Sequence, residues 1–443
     1  MVKIVKKLLS SNLFIYSIVR SFYHRMRYLT FGLLPRQKNI VMKTLSKSKP
    51  QYDLDRIIIN KHIIFKESEV ANAFYYCSGK QELYQLFMWL DVLKKLRIPF
   101  FVCVRKVEVY KALTSKGIRS ILVPDLKDLN VISGLGVKRV FYVNNAALNT
   151  HMIRYNELTH IQLLHGDSDK PASFNPMSQM YDLLYVAGEA AIDRYYNNGV
   201  YIPKRKFVIT GRPQLAILDN IRIGKPSSNN WPQVILVCTT WKGNQESSNY
   251  SCIDMASEVI GSSLKAGYSV IFRPHPRSFS DKLDRAHISI IEELFENYKF
   301  ADDQYGLISS DVNKDAIFSV YEYVVSLADI MISDLSSVAH DWVYYSKPLV
   351  MMKSDRIDFD VYNQSSIFSS SDVSCYEKGG DLTSLIEKEY VGIEENSKKR
   401  RNYLLGLDDG DMADDKFKAA MRWVETSYDK PQSILDCIEN DKG

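Results

Sequence analysis

The stretch ADIMISDLSSVAHDWVYYSKPLV, from Ala328 to Val350, reads as a strand, a tight turn, a helix and a second strand. Ile330, Met331 and Ile332 form a short apolar run of the kind buried inside a parallel sheet. Ser333, Asp334, Ser336 and Ser337 then give a dense helix-start signal, and Val338, Ala339, Trp342, Val343 and Tyr345 recur at helical spacing. Lys347-Pro348 stops that helix, and Leu349, Val350 and Met351 open the next strand. A helix entered from such a turn directs unbonded backbone N–H groups and the positive end of its dipole outward, which suits a phosphate or pyrophosphate. The hydroxyls of Ser336 and Ser337 add donors there. The competing reading is that these serines only cap the helix.

Outward from this stretch the text alternates between strand and helix. Toward the N-terminus, strands are expected at Val234–Cys238 and Ser269–Phe272, with helices over Ile253–Lys265, 280–297 and 316–327. Before them lies a polar connector, Pro226-Ser227-Ser228-Asn229-Asn230. A second alternating series precedes the connector: short extended runs at 57–59 and 62–65, a helix over 82–96, strands at 100–104, 120–123, 140–143, 161–164, 183–186 and 207–209, and helices over 107–115 and 189–197. Such alternation predicts doubly wound parallel sheets, hence an α/β fold of two halves with a hinge near residue 225. The expected division is an arm and linker over 1–52, a first half over 53–225, a second over 226–394, and C-terminal helices over 395–443 that pack back across both. Ligands of open parallel sheets bind beyond the carboxyl ends of the strands.

The 443 residues suffice for two domains and an appendage. The six cysteines have no paired spacing, which argues against a disulfide framework or a zinc site and fits a reducing, cytosolic setting. Residues 1–52 hold 11 Lys and Arg and no Asp or Glu, leaving 46 basic against 52 acidic residues in the body. A mildly acidic body excludes a nucleic-acid groove running over it. In the arm, Ile4, Leu8, Ile15, Ile18, Val19, Phe22 and Met26 share one helical stripe opposite Lys3, Lys6, Lys7, Arg20, His24, Arg25 and Arg27. That pattern suits a helix lying in an anionic membrane surface through residues 1–30. The run from Leu8 to Val19 is broken and shorter than the roughly 20 residues needed to span a bilayer.

Two further stretches sit at expected strand ends. Leu163-Leu164-His165-Gly166-Asp167-Ser168-Asp169-Lys170 puts a histidine after an apolar strand, with Gly166 allowing an abrupt turn. Imidazole can accept a proton near cellular pH, and Lys170 can hold a phosphate as a point charge. In Phe272-Arg273-Pro274-His275-Pro276 two prolines stiffen the turn from which Arg273 and His275 project, a cationic clamp for phosphate or a mere rigid turn. Arg212, in Gly211-Arg212-Pro213, follows another strand near the hinge. Asp355, Asp358 and Asp360 match no standard metal-site spacing.

Taken in order, HG-x-x-x-K at His165–Lys170, GRP at Gly211–Pro213, RPHP at Arg273–Pro276, ISDLSS-x-x-x-D at Ile332–Asp341 and Asp409-Gly410 before a last helix resemble the CDP-glycerol glycerophosphotransferase family, over about residues 155–430. The resemblance implies a GT-B-type architecture of two Rossmann-like domains facing a cleft. It implies a CDP-linked polyol donor, a polymer or lipid-linked acceptor, and work at the cytosolic face of the membrane. By similarity His165 is the general base, and His275, Arg273, Ser336 and Ser337 hold the donor phosphates. Lys170 and Arg212 are further phosphate candidates, and Asp167, Asp169 and Asp334 further cleft residues. No metal or other cofactor is expected, because these cationic groups neutralise the phosphates themselves. The chain departs from the family where Asp167-Ser168-Asp169 replaces a common Thr-Pro-Leu, two carboxylates that could raise the pKa of the neighbouring base. A Lys-Ala-Ser type run is also replaced, by Asp411-Met412-Ala413. Two alternatives stay open: a GT-B glycosyltransferase using a nucleotide sugar, and a non-catalytic membrane-surface protein on the same fold.

Overall fold

The computed structural model describes residues 71–132, 135–216, 234–243, 249–297, 325 and 328–428. The basic arm, the runs at 57–59 and 62–65, the connector near 226–230 and, apart from Val325, the helix expected over 316–327 lie outside the described residues. Among the described residues the strands are, in chain order, β1 (Asn72–Tyr76), β2 (Phe101–Val104), β3 (Ser120–Leu122), β4 (Arg139–Tyr142), β5 (Thr159–Gln162), β6 (Leu183–Val186), β7 (Phe207–Ile209), β8 (Val234–Thr239), β9 (Ser269–Pro274), β10 (Ile330–Ser333), β11 (Leu349–Met352) and β12 (Ser374–Tyr376).

The chain divides into two compact units. In the smaller, which includes residues 101–136, β2 pairs in parallel with β3, Cys103 opposite Ile121. The helix Val107–Ser115 joins them and buries Val109, Tyr110 and Leu113 along one face. Gly117, at φ +70, lets the chain leave that helix in a left-handed turn.

The larger unit holds residues 71–100 and everything from 137 onward. In it β1, β4, β5, β6 and β7 pair in that order, all parallel. A second sheet runs β12-β11-β10-β8-β9, also parallel throughout. Leu236, Val237, Phe272, Ile330, Met331, Ile332, Val350 and Met351 are fully buried. Strands covered on both faces read as unbroken apolar runs, which is why the opening stretch was legible. Register then aligns the strand ends. Ser333 lies opposite Cys238 and Met351, and Pro274 opposite Thr239, so Thr240, His275 and Asp334 emerge along one edge. In the first sheet Tyr142 lies opposite Gln162, so Val143 and the Leu163–His165 segment emerge together.

Two strands were not anticipated. β1, Asn72-Ala73-Phe74-Tyr75-Tyr76, and β12, Ser374-Cys375-Tyr376, are nearly all buried but carry polar and aromatic residues in place of an aliphatic run. The helix expected from 395 begins at Leu382 and runs to Leu405. Leu382, Ile386, Leu404 and Leu405 bury its two ends, Val391 is 91% exposed, and polar contacts add to the hold. Arg400 reaches Glu389 at 3.0 Å, whose other oxygen accepts from Ser374 N, and Tyr403 donates to Asp193. At its C-terminus a Cβ on Gly188 would lie 2.5 Å from the Tyr403 carbonyl, so only glycine fits beneath that helix end. The last α-helix among the described residues, Ala413–Trp423, lays Phe417 against Trp89 and Tyr185, and Arg139 pairs with Glu425 at 2.7 Å.

Candidate active site

His165 leaves β5 through a backbone turn that sequence reasoning assigned to the wrong residue. Leu164, not Gly166, takes the left-handed conformation, at φ +51. A leucine there is strained and needs support from its surroundings. Trp89 supplies it, its indole N–H donating to the Leu164 carbonyl at 2.5 Å. The turned-out His165 ring places Nδ1 3.0 Å from the Val143 carbonyl and Nε2 3.4 Å from Gln85 Nε2. Tyr84 stands edge-on to the ring. Burial lowers the His165 pKa to about 4; the Val143 carbonyl opposes the shift and the Arg212 charge adds to it. The ring is therefore neutral at cellular pH, with a lone pair to offer.

Gly166 brings this turn against the second sheet's edge. A Cβ added at Gly166 would stand 3.6 Å from the Cβ of Ser337, the first residue of the helix Ser337–Trp342. Lys170 Nζ donates to Thr240 Oγ1, beyond the end of β8. Burial lowers the Lys170 pKa against the pull of Asp334, and Lys170 is in turn one of the charges acting on His275. His275 N donates to the Thr239 carbonyl at 3.0 Å. Burial, with the charges of Lys170, Arg273 and Arg277, lowers the His275 pKa to about 3. Its Nδ1 accepts the Arg277 backbone N–H at 3.1 Å. A backbone amide can only donate, so the neutral ring carries its proton on Nε2. His165, Ser337, Lys170 and His275 thus gather where the two sheets' strand ends meet.

Other expected residues are spent on structure. Ser336 is the N-cap: its hydroxyl accepts from Ala339 N at 3.4 Å and contacts Ser333 Oγ at 3.0 Å, leaving the capping reading for Ser336 and the open position for Ser337. Asp334 is fully buried and accepts from Thr240 N at 2.9 Å and Cys252 N at 3.1 Å, clamping the turn after β8 to the helix Ile253–Lys265. Burial raises its carboxyl to about 6, with Lys170 and these amides pulling the other way. Asp167 and Asp169 do not flank His165 as free acids. Arg194, on the helix Glu189–Asn197, reaches Asp167 at 2.5 Å and Asp169 at 2.9 Å. Asp169 also accepts from Ser365 Oγ at 2.6 Å and Ser366 N at 3.0 Å and lies 3.5 Å from His340 Nε2. These contacts account for Asp-Ser-Asp in this loop: it latches the first sheet's loop onto the second sheet's helices. Arg212 is likewise engaged, its Nη2 lying 2.9 Å from Asp341. Asp358 caps the helix Phe359–Asn363 by accepting from Asp360 N.

A family model for CDP-glycerol:poly(glycerophosphate) glycerophosphotransferase matches residues 135–369, more than half of the chain. The chain belongs to this family. No curated protein matches it significantly. Among solved structures it is similar to the wall teichoic acid polymerase TagF, with a TM-score of 0.52 at 14% identity, over 89% of this chain and 99% of that one. A variant of TagF soaked with CDPG gives 0.51 at 12% identity, over 85% and 96%. At such identity the likeness speaks for the fold, which is of the GT-B type. The glycerophosphotransferase match spans the His165 turn, the Arg273–His275 turn and the Ser336–Ser337 helix start together. Among the described residues no helix is long and apolar enough to cross a membrane. Gln85 and Trp89, which contact His165 and its turn, and Asn144, which bonds Gln85, carried no motif signal; they are ordinary helix or loop residues until the fold brings them together.

Proposed function

We propose that the protein transfers glycerol phosphate, or a similar polyol phosphate, from a CDP-linked donor to a hydroxyl of a cell-envelope polymer or lipid-linked acceptor. The observation that carries this reading is the apposition of the His165–Gly166 turn to Ser337 in a member of the glycerophosphotransferase family. The acceptor O–H gives its proton to His165 Nε2 as its oxygen bonds to the β-phosphorus. The anhydride bond to the α-phosphate breaks, and CMP leaves with the electron pair. His275 Nε2–H, Lys170, Arg273 and Ser337 hold the diphosphate and offset the charge that develops on the leaving phosphate. The negative donor, once seated, raises the basicity of the neighbouring imidazole, which burial and the Arg212 charge otherwise lower.

The basic arm, residues 1–30, anchors the enzyme at the inner face of the cell membrane, where such an acceptor is presented. Its support is the absence of any acidic residue among the first 52. The test of the reaction is to incubate full-length protein with a panel of CDP-polyols and nucleotide sugars and follow nucleotide release. CMP from CDP-glycerol or CDP-ribitol is expected; release only from an activated sugar would replace this reading with glycosyl transfer.

A further inference from the structure

The imidazole of His165 sits at the end of a directional chain of hydrogen bonds. Ala146 N donates to Asn144 Oδ1 at 3.3 Å. A backbone amide has no other role to play, so Asn144 presents its NH2 on the other side, to Ser78 Oγ at 3.0 Å and to Gln85 Oε1 at 2.8 Å. That fixes the Gln85 amide in turn: its oxygen faces Asn144, so its NH2 faces His165 Nε2 at 3.4 Å. At the ring's other side the Val143 carbonyl can only accept, so Nδ1 must carry the proton. The two ends of the chain, one amide and one carbonyl of the same loop after β4, agree on a single tautomer.

We propose that Gln85 and Asn144 are positioning residues that hold His165 as its Nδ1–H tautomer, with the Nε2 lone pair kept for the acceptor hydroxyl. The 3.4 Å contact is long for a hydrogen bond, so the incoming hydroxyl displaces the Gln85 amide at little cost. The groups facing the ring are Tyr84 and Gln85 from the helix Tyr84–Lys95, the Val143 carbonyl, and the Arg212 guanidinium from the turn after β7. Asp167, two residues along, is engaged by Arg194. Donation into the lone pair favours the neutral ring, as does the Arg212 charge. The catalytic meaning of the relay rests on the reading of His165 as base; the tautomer itself does not.

The test reverses the relay without changing its shape. In Asn144→Asp the new carboxylate still accepts from Ala146 N but can no longer donate to Gln85. The Gln85 amide must turn over, and its oxygen then faces Nε2 while the Val143 carbonyl still faces Nδ1, so acceptors stand at both nitrogens and the ring is held as imidazolium. Full-length protein labelled with 15N-histidine, with the His165 signals identified by their loss in His165→Asn, reports the tautomer directly. The wild type is expected to show a neutral Nδ1–H ring and Asn144→Asp to keep protons on both nitrogens to a higher pH, with kcat lowered on the order of 10²-fold and donor KM little changed. Gln85→Glu supplies a second variant: its carboxylate stabilises a second proton, on Nε2, and moves the acid limb of kcat/KM upward by about one pH unit or more. A wild-type proton on Nε2, or variants that lose activity equally at every pH with the ring's protonation unmoved, would overturn the proposal. Near-normal turnover in His165→Asn would instead remove the base assignment, an outcome read separately from the spectra.

Discussion

Arg212 Nη2 lies 2.9 Å from Asp341 Oδ1, joining the turn after β7 to the helix that follows β10. The Arg of the GRP motif and the Asp that closes ISDLSS-x-x-x-D are therefore partners across the two sheets. The Arg212 charge also acts on His165. Asp341→Ala leaves a largely buried guanidinium alone and is expected to cost about 3–5 kcal/mol, read as a lower midpoint in chemical unfolding. An Arg212→Met, Asp341→Leu double variant should recover much of that loss. Additive losses would mean the two side chains do not act as a pair.

His165→Ala should lower turnover by about 10²–10⁴-fold, the usual worth of a general base, with an unchanged far-ultraviolet circular dichroism spectrum. Because burial holds the free enzyme's His165 near 4, its active neutral form persists well below the ordinary histidine range. The acid limb of kcat/KM is thus expected closer to pH 4 than to 6.5; a limb at 6.5 would show that the ring is more solvated than this site implies.

The Asp169 latch makes a pH-dependent contribution to stability. Burial would raise the Asp169 pKa, but His340 and Arg194 outweigh it and hold the carboxyl below its ordinary range. That contribution is present above an unfolded carboxylate's pKa of about 4 and is lost as pH falls further. Burial would lower His340, but Asp169 outweighs it and the imidazole is raised. Its contribution is complete below about 6.5 and is lost as pH rises through the folded value. The difference in Tm between wild type and Asp169→Asn should therefore be largest between about pH 4 and 6.5 and shrink on either side. A difference independent of pH would exclude the ionic latch.

Trp89→Phe keeps the ring that packs on Phe417 but removes the donor to the Leu164 carbonyl. The strained Leu164 turn should relax, costing about 1–3 kcal/mol for the orphaned carbonyl and lowering kcat more than it raises donor KM. Equal kcat with only a stability loss would show that His165 is held without that bond.

Lys170→Met should raise donor KM severalfold or more while leaving Tm nearly unchanged, since the lysine is desolvated without a close carboxylate bond and its cost to folding offsets its bond to Thr240. A fall in kcat alone would place Lys170 at the acceptor instead.

Local pattern was enough to read the parallel α/β alternation and to set His165, His275 and the Ser336–Ser337 turn beyond strand ends. Most of the buried parallel strands run continuously apolar and most helices repeat near every fourth residue, so they leave a local record; β1 and β12, which carry polar and aromatic residues, leave none. Which polar residues are spent and which remain depends on contacts that form only in the folded chain. Ser336 caps, Asp334 clamps two backbone amides, Asp167 and Asp169 grip Arg194, and Arg212 grips Asp341, whereas the motifs alone had offered Ser336 and Arg212 to the donor phosphates and the three aspartates to the cleft. Gln85 and Asn144 were silent for the same reason. A hydrogen bond between side chains 59 residues apart has no period and no composition, and it exists only once β1, β4 and β5 have set their ends side by side.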